Sequence, residues 1–306
     1  MPCKKVLAGT IATRYLGEIK KEVASLSTQP KLVGFLANSD PAAEMYSQWT
    51  GKSCDETGVA YELRKVEPEQ LIDAIKAANA DDAVHGILVY YPVFGPEKDI
   101  EVRTTVSPLK DVEGLCPLFA GNLYDNVRYL DNENQKKCIL PCTPLAIVKI
   151  LEHIGVYNPI IPYGDRLYGR TITVINRSRV VGHPLAALLA NDGAKVYSVD
   201  IADIQQFYRG SGLKRDKHHV EPVDLTLAQV LAVSDVVISG VPTESYKIDS
   251  SLLKDGVIAI NFSTFRNFQD NVVEKASLYI PTVGKVTVAM LQRNLVRLCK
   301  YATQQQ

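Results

Sequence analysis

The chain has 306 residues, of which 46% are hydrophobic and 22% charged, and Lys+Arg and Asp+Glu balance at 34 each. This length suits two domains that each bury a core, and zero net charge gives no field toward nucleic acid or anionic lipid. No apolar run approaches the ~20 residues that span a bilayer, so we expect neither nucleic acid nor membrane as a partner.

The N-terminal segment and the cysteines favour a cytoplasmic protein. Periodic structure starts in "TIATRYLGEIKKEVASL", which predicts a helix capped by Thr10, and no signal-type apolar region precedes it. The 6 cysteines are scattered, which is typical of reduced thiols. Cys138 and Cys142 lie close together in "CILPC", but the proline between them favours extended backbone. We therefore predict no metal site.

Strand and helix patterns alternate in the first half of the chain. "KLVGFL", "AYELRKV" and "VHGILVYYPVF" predict strands, and "PEQLIDAIKAANA" predicts a helix. "DPAAEMYSQWTGKSCDETG" predicts another helix, with Asp40 as its cap, Pro41 in its first position and Gly58 as its stop. This alternation predicts an α/β fold with a mainly parallel sheet.

The second half repeats the alternation. "LPCTPLAIVKILEHIG" predicts a long helix that bridges two domains, with Thr143 as its cap. The short Val/Ile runs "TITVI", "AKVYSV", "SDVVISG" and "GVIAINF" are typical of a Rossmann-like half, and "VTVAMLQRNLVRLCKYA" predicts a final helix. Residues 201–222 are polar and predict a solvated surface excursion, with Lys214, Arg215 or Lys217 as an alternative phosphate contact.

A candidate cofactor loop lies in "VINRSRVVGHP", between a predicted strand ending at Asn176 and a helix beginning near Gly182. The N–H groups and dipole of such a helix terminus favour a phosphate oxygen. Ser178 adds a hydroxyl, Gly182 permits close approach of the backbone, and Arg177 is a candidate to pair with a phosphate or stack on an adenine. Alone this signal is weak, because strand–turn–helix corners are common.

Asp200 is the stronger sign of a dinucleotide. It ends the next strand, 24 positions after Asn176, about where dinucleotide folds place an acid for the adenosine ribose. A carboxylate there accepts hydrogen bonds from ribose hydroxyls but repels a 2′-phosphate, at a cost of roughly 4 kcal/mol for two unit charges 4 Å apart. The sequence therefore predicts NAD rather than NADP, with a strand-end cap as the structural alternative for Asp200.

Several motifs occur in the order seen in one enzyme family. "NRSRVVGHPLAALL" resembles a G-R-S-x-x-V-G-x-P loop with Asn176 in place of the glycine, and "KDVEGL" resembles K-D-V-D-G. "LPCTP", "HGILVYYP" and the shortened "PTVGKVTVAML" resemble the other motifs of the set. Over nearly its whole length the chain is similar to the methylenetetrahydrofolate dehydrogenase/cyclohydrolase family, and most of all to its fungal monofunctional NAD-dependent branch.

The resemblance implies two α/β domains with a cleft between them. An N-terminal folate-site domain would comprise residues 1–147 and 288–306, closed by the C-terminal helix, and a Rossmann-like NAD-binding domain would comprise residues 148–287. The implied reaction oxidises 5,10-methylenetetrahydrofolate with NAD to the 5,10-methenyl compound. The resemblance also implies a homodimer.

Departures from the family pattern indicate which activity is retained. Thr50 stands where the family has a lysine, one helical turn after Tyr46, and Tyr90 replaces the glutamine that supports that lysine. Hydrolysis of the methenyl cation needs a positioned amine to move protons, whereas hydride removal mainly needs orientation. Lys52 is turned roughly 200° from Thr50 around the helix and should not substitute. We predict a dehydrogenase without cyclohydrolase activity.

The resemblance also assigns site residues. Tyr46, Thr50 and Glu113 are the catalytic candidates, and Tyr46, Tyr90 and Glu113 the substrate-binding ones, with Glu113 accepting hydrogen bonds from the pterin. The cofactor-binding candidates are Thr143, Asn176, Arg177, Ser178, Gly182, Asp200, Gly240, Val241, Pro242 and Thr287. Simpler alternatives remain: aromatic packing for the tyrosines, a surface turn for Glu113, and helix caps for the two threonines.

Three other functions stay open at this point. A bifunctional NADP-dependent dehydrogenase/cyclohydrolase would share the fold, but Thr50 and Asp200 disfavour it. A non-catalytic NAD-binding regulator would keep the cofactor loop. An amino-acid or shikimate-type dehydrogenase would need a catalytic Lys or Asp pair that the sequence does not reveal.

Overall fold

Strands and helices alternate along the chain, as the sequence predicts. The computed structural model describes residues 3–95, 97–210 and 217–303. Within them the strands are β1 (Lys4–Lys5), β2 (Lys31–Leu36), β3 (Ala60–Lys65), β4 (Gly86–Val89), β5 (Thr171–Ile175), β6 (Lys195–Val199), β7 (Ile204–Tyr208), β8 (His219–Pro222), β9 (Val236–Ser239), β10 (Ile258–Asn261) and β11 (Leu278–Ile280). The helices are α1 (Ala8–Ala24), α2 (Pro41–Thr57), α3 (Leu71–Ala80), α4 (Asp99–Thr105), α5 (Pro117–Tyr124), α6 (Cys142–His153), α7 (Gly182–Asn191), α8 (Leu227–Val233), α9 (Val272–Lys275) and α10 (Gly284–Thr303).

Two compact α/β units divide the chain, and each is named here after its sheet. The eight-stranded unit comprises Met1–Ile11, Leu123–Val127 and Thr143–Val286. The three-stranded unit comprises Ala12–Asn122, Arg128–Cys142 and Thr287–Gln306. The predicted α/β class with two domains is confirmed. No helix in the described ranges is both long and apolar enough to cross a bilayer.

The three-stranded unit has a fully parallel sheet in the order β3–β2–β4. One face of this sheet packs on an apolar core that includes Val33, Phe35, Ile75, Ile87 and Val102. Helix α2 begins as predicted, because the Asp40 carboxylate accepts the N–H of Ala42 at 2.9 Å. It also ends as predicted, at Gly58, whose φ of 85° is left-handed.

The eight-stranded sheet has the order β1–β11–β10–β9–β5–β6–β7–β8. Strand β5 lies between β9 and β6 and is parallel to both. The chain runs from β5 to β6 on one side and later returns to β9 on the other. The carboxyl end of β5 is therefore the point where strand order reverses, which is where open α/β sheets bind ligands.

Several segments differ from expectation. Met1–Ile11 belong to the eight-stranded unit rather than to the N-terminal domain, because β1 pairs with β11 through Lys4 and Leu278. Leu123–Val127 and residues 143–147 also belong to the eight-stranded unit, and Thr287 belongs to the three-stranded one. The 201–222 excursion is not only solvated loop: β7 and β8 extend the sheet as an antiparallel hairpin. Ile204 and Phe207 of β7 are buried, and they provide the apolar contacts that hold the hairpin on the sheet. Lys214 and Arg215 lie outside the described residues.

Candidate active site

Four hydroxyl-bearing side chains cluster in the three-stranded unit. Tyr46 and Thr50 lie one turn apart on α2, Tyr61 lies on β3, and Tyr90 directly follows β4. The Thr50 hydroxyl donates to the Tyr46 carbonyl at 2.9 Å and also hydrogen-bonds the Tyr90 side chain. The hydroxyls of Tyr61 and Tyr90 are 2.7 Å apart. Hydrogen bonds thus connect the hydroxyls of Tyr61, Tyr90 and Thr50 with the Tyr46 carbonyl in one chain.

The hydroxyl cluster is neutral at physiological pH. Burial raises the pKa of Tyr61 to about 12, and it raises the pKa of Tyr90 and of Tyr46 well above the ordinary tyrosine value. Thr50 is 0% exposed, whereas Lys52 is exposed, in keeping with its predicted orientation. The position of Thr50 therefore holds a neutral hydroxyl, without an ammonium group.

The rings of Tyr46 and Tyr90 meet edge to face, with centroids 5.7 Å apart and planes at 81°. This is a favoured aromatic geometry, so the structure retains aromatic packing as one role of the pair. Tyr46 is only half-buried, and the charge of Glu113 acts on its hydroxyl. One edge of Tyr46 is thus available to a ligand while Tyr90, at 3% exposure, forms a wall.

A tight loop presents Glu113 in the same unit. The buried Asp111 carboxylate accepts the N–H groups of Glu113, Gly114 and Cys116 at 3.0, 2.9 and 2.8 Å. Gly114 has a φ of 66°, and a Cβ there would lie 2.7 Å from the carbonyl carbon of Leu140. These constraints fix the loop without using the Glu113 side chain, which leaves that carboxyl able to bind a ligand.

The Glu113 carboxyl is held in a poorly solvated place. Burial raises its pKa to about 8, and the negative charge of Asp111 adds to that effect. The N–H of Val89 donates to Oε2 at 3.0 Å and lowers the pKa of Glu113. N–H groups of a ligand would lower this pKa further, because they stabilise the ionised form. Glu113 is therefore poised to accept hydrogen bonds from a donor-rich ring edge.

The candidate cofactor loop follows β5 in the eight-stranded unit. Asn176, which stands where the family has glycine, has a φ of 87°, a conformation that asparagine tolerates better than most residues. Its side chain donates to the Gly240 carbonyl at 2.6 Å and accepts the N–H of Ser178 at 3.0 Å. Asn176 thus links the carboxyl ends of β5 and β9.

Helix α7 begins at Gly182, as predicted. A Cβ on Gly182 would lie 1.7 Å from the Asn176 carbonyl oxygen, so only glycine fits between the loop and the helix. The Ser178 hydroxyl accepts the N–H groups of Val181 and Gly182 at 3.3 and 3.4 Å. A hydroxyl that accepts these bonds can still donate its own proton to an anion. The loop is therefore a helix terminus organised for close approach by a phosphate.

Asp200 and Arg177 lie together at the end of β6. The exposed Asp200 carboxylate accepts the backbone N–H of Arg177 at 3.1 Å and that of Ile201 at 2.8 Å. The Arg177 guanidinium is directed to other partners, because it hydrogen-bonds the Ser198 hydroxyl at 3.0 Å and Asp203 at 2.6 Å. Asp200 therefore keeps an exposed carboxylate at the end of β6, whereas the Arg177 guanidinium is bound to Ser198 and Asp203.

The segment after β9 is fixed by a buried asparagine. Asn267 accepts the N–H of Val241 at 2.7 Å and donates to the Val241 carbonyl at 2.9 Å. A Cβ on Gly240 would lie 1.8 Å from the Phe262 ring, which explains the glycine. Pro242 is exposed just beyond it. Gly240, Val241 and Pro242 therefore line the sheet edge beside the loop that carries Asn176.

Comparison with known proteins agrees with these geometries. Residues 6–113 match the tetrahydrofolate dehydrogenase/cyclohydrolase catalytic domain, and residues 141–209 match the NAD(P)-binding domain of the same family. The chain is 55% identical to methylenetetrahydrofolate dehydrogenase (NAD+) of Schizosaccharomyces pombe, over 98% of this chain and 94% of that protein. It is 52% identical to the Saccharomyces cerevisiae protein of the same name, over 98% and 97%.

The chain belongs to the tetrahydrofolate dehydrogenase/cyclohydrolase family. Its fold is similar to a solved structure of the NAD-dependent 5,10-methylenetetrahydrofolate dehydrogenase from Saccharomyces cerevisiae. The TM-score is 0.94 at 51% identity, and the match covers 99% of each chain. The predicted family resemblance is confirmed.

Two threonines of this family member occupy first turns of helices. Thr143 is the second residue of α6, in the eight-stranded unit, and is half-buried. Thr287 is the fourth residue of α10, in the three-stranded unit, and is 5% exposed. Both lie inside their helices rather than in front of them, so neither stands in the predicted cap position. Their assignment to the cofactor stays a prediction.

Sequence reasoning about this family member missed three positioning side chains. Tyr61 was one, although Gly34 in the middle of β2 signals it: a Cβ there would lie 2.7 Å from the Tyr61 hydroxyl. Asn294 was another; it donates to the carbonyls of Val112 and Leu140 at 2.9 Å each, beside the Glu113 loop. Its signal is a polar residue on the buried stripe of α10. Asn267 has no comparable signal in the sequence.

Proposed function

We propose that this chain catalyses the NAD-dependent oxidation of 5,10-methylenetetrahydrofolate to 5,10-methenyltetrahydrofolate and does not hydrolyse the product. The observation that carries this proposal is the neutral hydroxyl cluster of Thr50, Tyr61 and Tyr90, which lies in the same unit as the Glu113 carboxyl. The similarity to proteins named as NAD-dependent methylenetetrahydrofolate dehydrogenases supports it.

On the folate side, the residues bind and orient. The Glu113 carboxylate accepts hydrogen bonds from the pterin amino group and ring nitrogen, and Tyr46 contacts the ring system. The methylene carbon bridges two nitrogens, whose lone pairs stabilise the cation left when hydride departs. The protein therefore has to hold that carbon in a reactive geometry rather than supply an acid or base.

On the cofactor side, the residues present fit a dinucleotide. Gly182 and Ser178 shape the helix terminus that would hold the pyrophosphate, and the exposed Asp200 carboxylate would accept ribose hydroxyls. The backbone at Gly240–Pro242 would lie along the cofactor. When bound, NAD supplies the hydride acceptor at its nicotinamide.

The absence of cyclohydrolase activity follows from the same cluster. Attack of water on the methenyl cation requires a group that takes up and returns a proton near neutral pH. Thr50 cannot titrate there, and the pKa values of Tyr61 and Tyr90 are raised away from neutrality. The methenyl product should therefore leave the site unhydrolysed.

A time course with 5,10-methylenetetrahydrofolate tests this function directly. NADH and the methenyl chromophore are followed with either NAD or NADP, in a buffer that slows spontaneous hydrolysis. We expect equimolar NADH and persistent methenyl product, with NAD strongly preferred. Rapid loss of the methenyl signal or preference for NADP would favour the bifunctional enzyme, and no turnover with either cofactor would favour the regulator.

Thr50→Lys is expected to gain no cyclohydrolase activity and to lose dehydrogenase kcat/KM by at least about tenfold. The position is 0% exposed, and the groups that Thr50 hydrogen-bonds are the Tyr46 carbonyl and the Tyr90 side chain, so no carboxylate is in place to pair with an ammonium introduced there. A buried unpaired charge costs at least about 2 kcal/mol, which lowers Tm by several degrees. Differential scanning fluorimetry and both activity assays measure these effects.

Gln48→Lys is the matched control, because Gln48 is exposed on the same helix. It adds the same charge to α2 and should leave Tm and dehydrogenase activity unchanged. Methenyl hydrolysis by Thr50→Lys at full dehydrogenase rate would contradict the account of the cluster.

We further propose a cytoplasmic homodimer. The support is the free state of Cys3, Cys54, Cys116, Cys138, Cys142 and Cys299, which suits a reducing compartment, and the family resemblance for the dimer. Light scattering on purified protein should give the mass of two chains, and a fluorescent fusion should distribute through the cytosol.

A further inference from the structure

The Arg177 guanidinium is bound on several sides within the eight-stranded unit. Its Nε donates to the Ser198 hydroxyl at 3.0 Å, its Nη1 to Asp203 Oδ1 at 2.6 Å, and its Nη2 to the Ser198 carbonyl at 2.6 Å. Nη2 also donates to the Asp203 carbonyl at 3.2 Å. The Arg177 side chain is 12% exposed as a result, although Arg177 lies within the candidate cofactor loop.

Two carboxylates flank the turn that receives this guanidinium. Asp200 and Asp203 bracket the short connection from β6 to β7, closed by a hydrogen bond of 3.0 Å from the Asp200 N–H to the Asp203 carbonyl. Asp200 accepts the Arg177 backbone N–H, and Asp203 accepts the Arg177 side chain. Two carboxylates and one guanidinium give this turn a net charge of −1.

Asp203 is held in its ionised, paired form. Its hydrogen bond from Arg177 lowers the pKa of the carboxyl, and a hydrogen bond from Gln205 at 2.9 Å acts in the same direction. The ion pair therefore persists across the physiological pH range. The backbone N–H of Arg177 binds the Asp200 carboxylate. The Arg177 backbone is therefore adjacent to the place where the adenosine ribose would bind.

We propose that Asp203 is a specificity-determining residue for the dinucleotide, because it holds the Arg177 guanidinium against the β6–β7 turn and withholds it from a 2′-phosphate. Dinucleotide folds that accept NADP commonly do so with an arginine near this ribose. Here Arg177 is present but paired with Asp203. Cofactor preference therefore depends on Asp203, which pairs the arginine, as well as on Asp200, which would face the ribose. This inference rests on the proposed function and concerns the cofactor preference of the same site.

Asp203→Asn tests the proposal through binding of NADH and NADPH, each titrated by the change in its fluorescence. The variant removes the paired charge and keeps the size of the side chain. We expect the ratio of the Kd for NADPH to the Kd for NADH to fall at least about tenfold, since a hydrogen bond to a charged group changes affinity by this order. Asp200 remains, so NADH stays the tighter ligand.

Glu221→Gln is the matched control, because Glu221 lies on the same hairpin and contacts Gln206 and Tyr208 rather than Arg177. It removes the same unit charge and should leave the ratio unchanged. The double variant Asp203→Asn with Arg177→Gln should lose the gain in NADPH affinity. Asp203→Ser repeats the test with a second side chain, and Tm verifies folding of each protein.

Each outcome decides the proposal. An unchanged ratio in both Asp203 variants, with NADH binding and turnover intact, overturns this inference and leaves the proposed function standing. An equal fall in the ratio for Glu221→Gln, or a gain that survives loss of Arg177, would show a general charge effect and also overturn it. A parent protein that binds neither dinucleotide overturns the proposed function together with this inference.

Discussion

Gly182→Ala is expected to weaken NADH binding at least about 100-fold and to reduce NAD-dependent turnover in parallel. The added Cβ would lie 1.7 Å from the Asn176 carbonyl oxygen and 2.7 Å from its carbonyl carbon, and both atoms belong to backbone. No rotamer can relieve that overlap, so the loop and the start of α7 must separate. A 100-fold loss corresponds to about 2.8 kcal/mol, within reach of a displaced backbone site.

The control for Gly182→Ala is Gly210→Ala in the same unit. Among the residues that the structure describes, a Cβ on Gly210 would meet only the His219 ring, at 3.8 Å or more, so NADH affinity and Tm should stay at parent values. Fluorescence titration with NADH gives the affinity of each protein. If Gly182→Ala binds NADH with a Kd within threefold of the parent value, the loop that contains Gly182 is not part of the cofactor site.

The sequence predicts regular elements well where local chemistry and periodicity agree. "KLVGFL" and "TITVI" match β2 and β5 residue for residue, and the Asp40 cap with the Gly58 stop bounds α2. These features depend on neighbours within a few positions, such as the N–H groups of a first turn. The sequence therefore predicts these strands and helix ends without any knowledge of long-range contacts.

The hydroxyl cluster shows where sequence reasoning reaches its limit. The sequence marks Thr50 and Tyr90 separately as departures from a family pattern, but their hydrogen bond joins residues 40 positions apart. Tyr61, which completes the cluster, depends on the register of β3 against β2. Strand pairing is a long-range property, so the local sequence does not reveal these contacts.

Arg177 illustrates the same limit in the cofactor loop. Its position in the sequence suggests a phosphate contact, whereas its partner Asp203 is fixed by the turn between β6 and β7. That turn leads into the β7–β8 hairpin, for which the polar composition of residues 201–222 predicts a solvated loop instead. Whether an arginine is available to a ligand depends on such competing partners, which the sequence around the arginine does not record.

Glu113→Gln is expected to lower kcat/KM for 5,10-methylenetetrahydrofolate about 100-fold, mainly through KM. A carboxylate that accepts two N–H donors contributes roughly 1.5–3 kcal/mol for each charged hydrogen bond, and the amide presents one oxygen and one competing donor. The loop itself should survive, because Asp111 rather than Glu113 organises its backbone. Calorimetry with tetrahydrofolate and initial rates of NADH formation separate binding from turnover.

The pH profile distinguishes an ionising Glu113 from a packing role. With a pKa of about 8 in the free protein, the carboxyl is mostly protonated at pH 7 and mostly ionised at pH 8.5. If the ionised form binds the pterin, kcat/KM should rise about eightfold over that interval. Because the folded pKa lies above that of an unfolded glutamate, the contribution of this group to stability falls as pH rises toward 8.

Glu113→Gln should flatten both profiles, because an amide does not titrate in this range. Glu62→Gln is the control, because Glu62 lies in the same unit on β3, where it pairs at 2.7 Å with Lys31 of β2 and with Arg64 of its own strand. It should keep the parent profile and the parent kcat/KM. A Glu113→Gln enzyme with the parent pH dependence would assign the titration to another group and leave Glu113 as a turn residue. A flat profile with raised KM would instead identify this carboxylate as the group that recognises the folate.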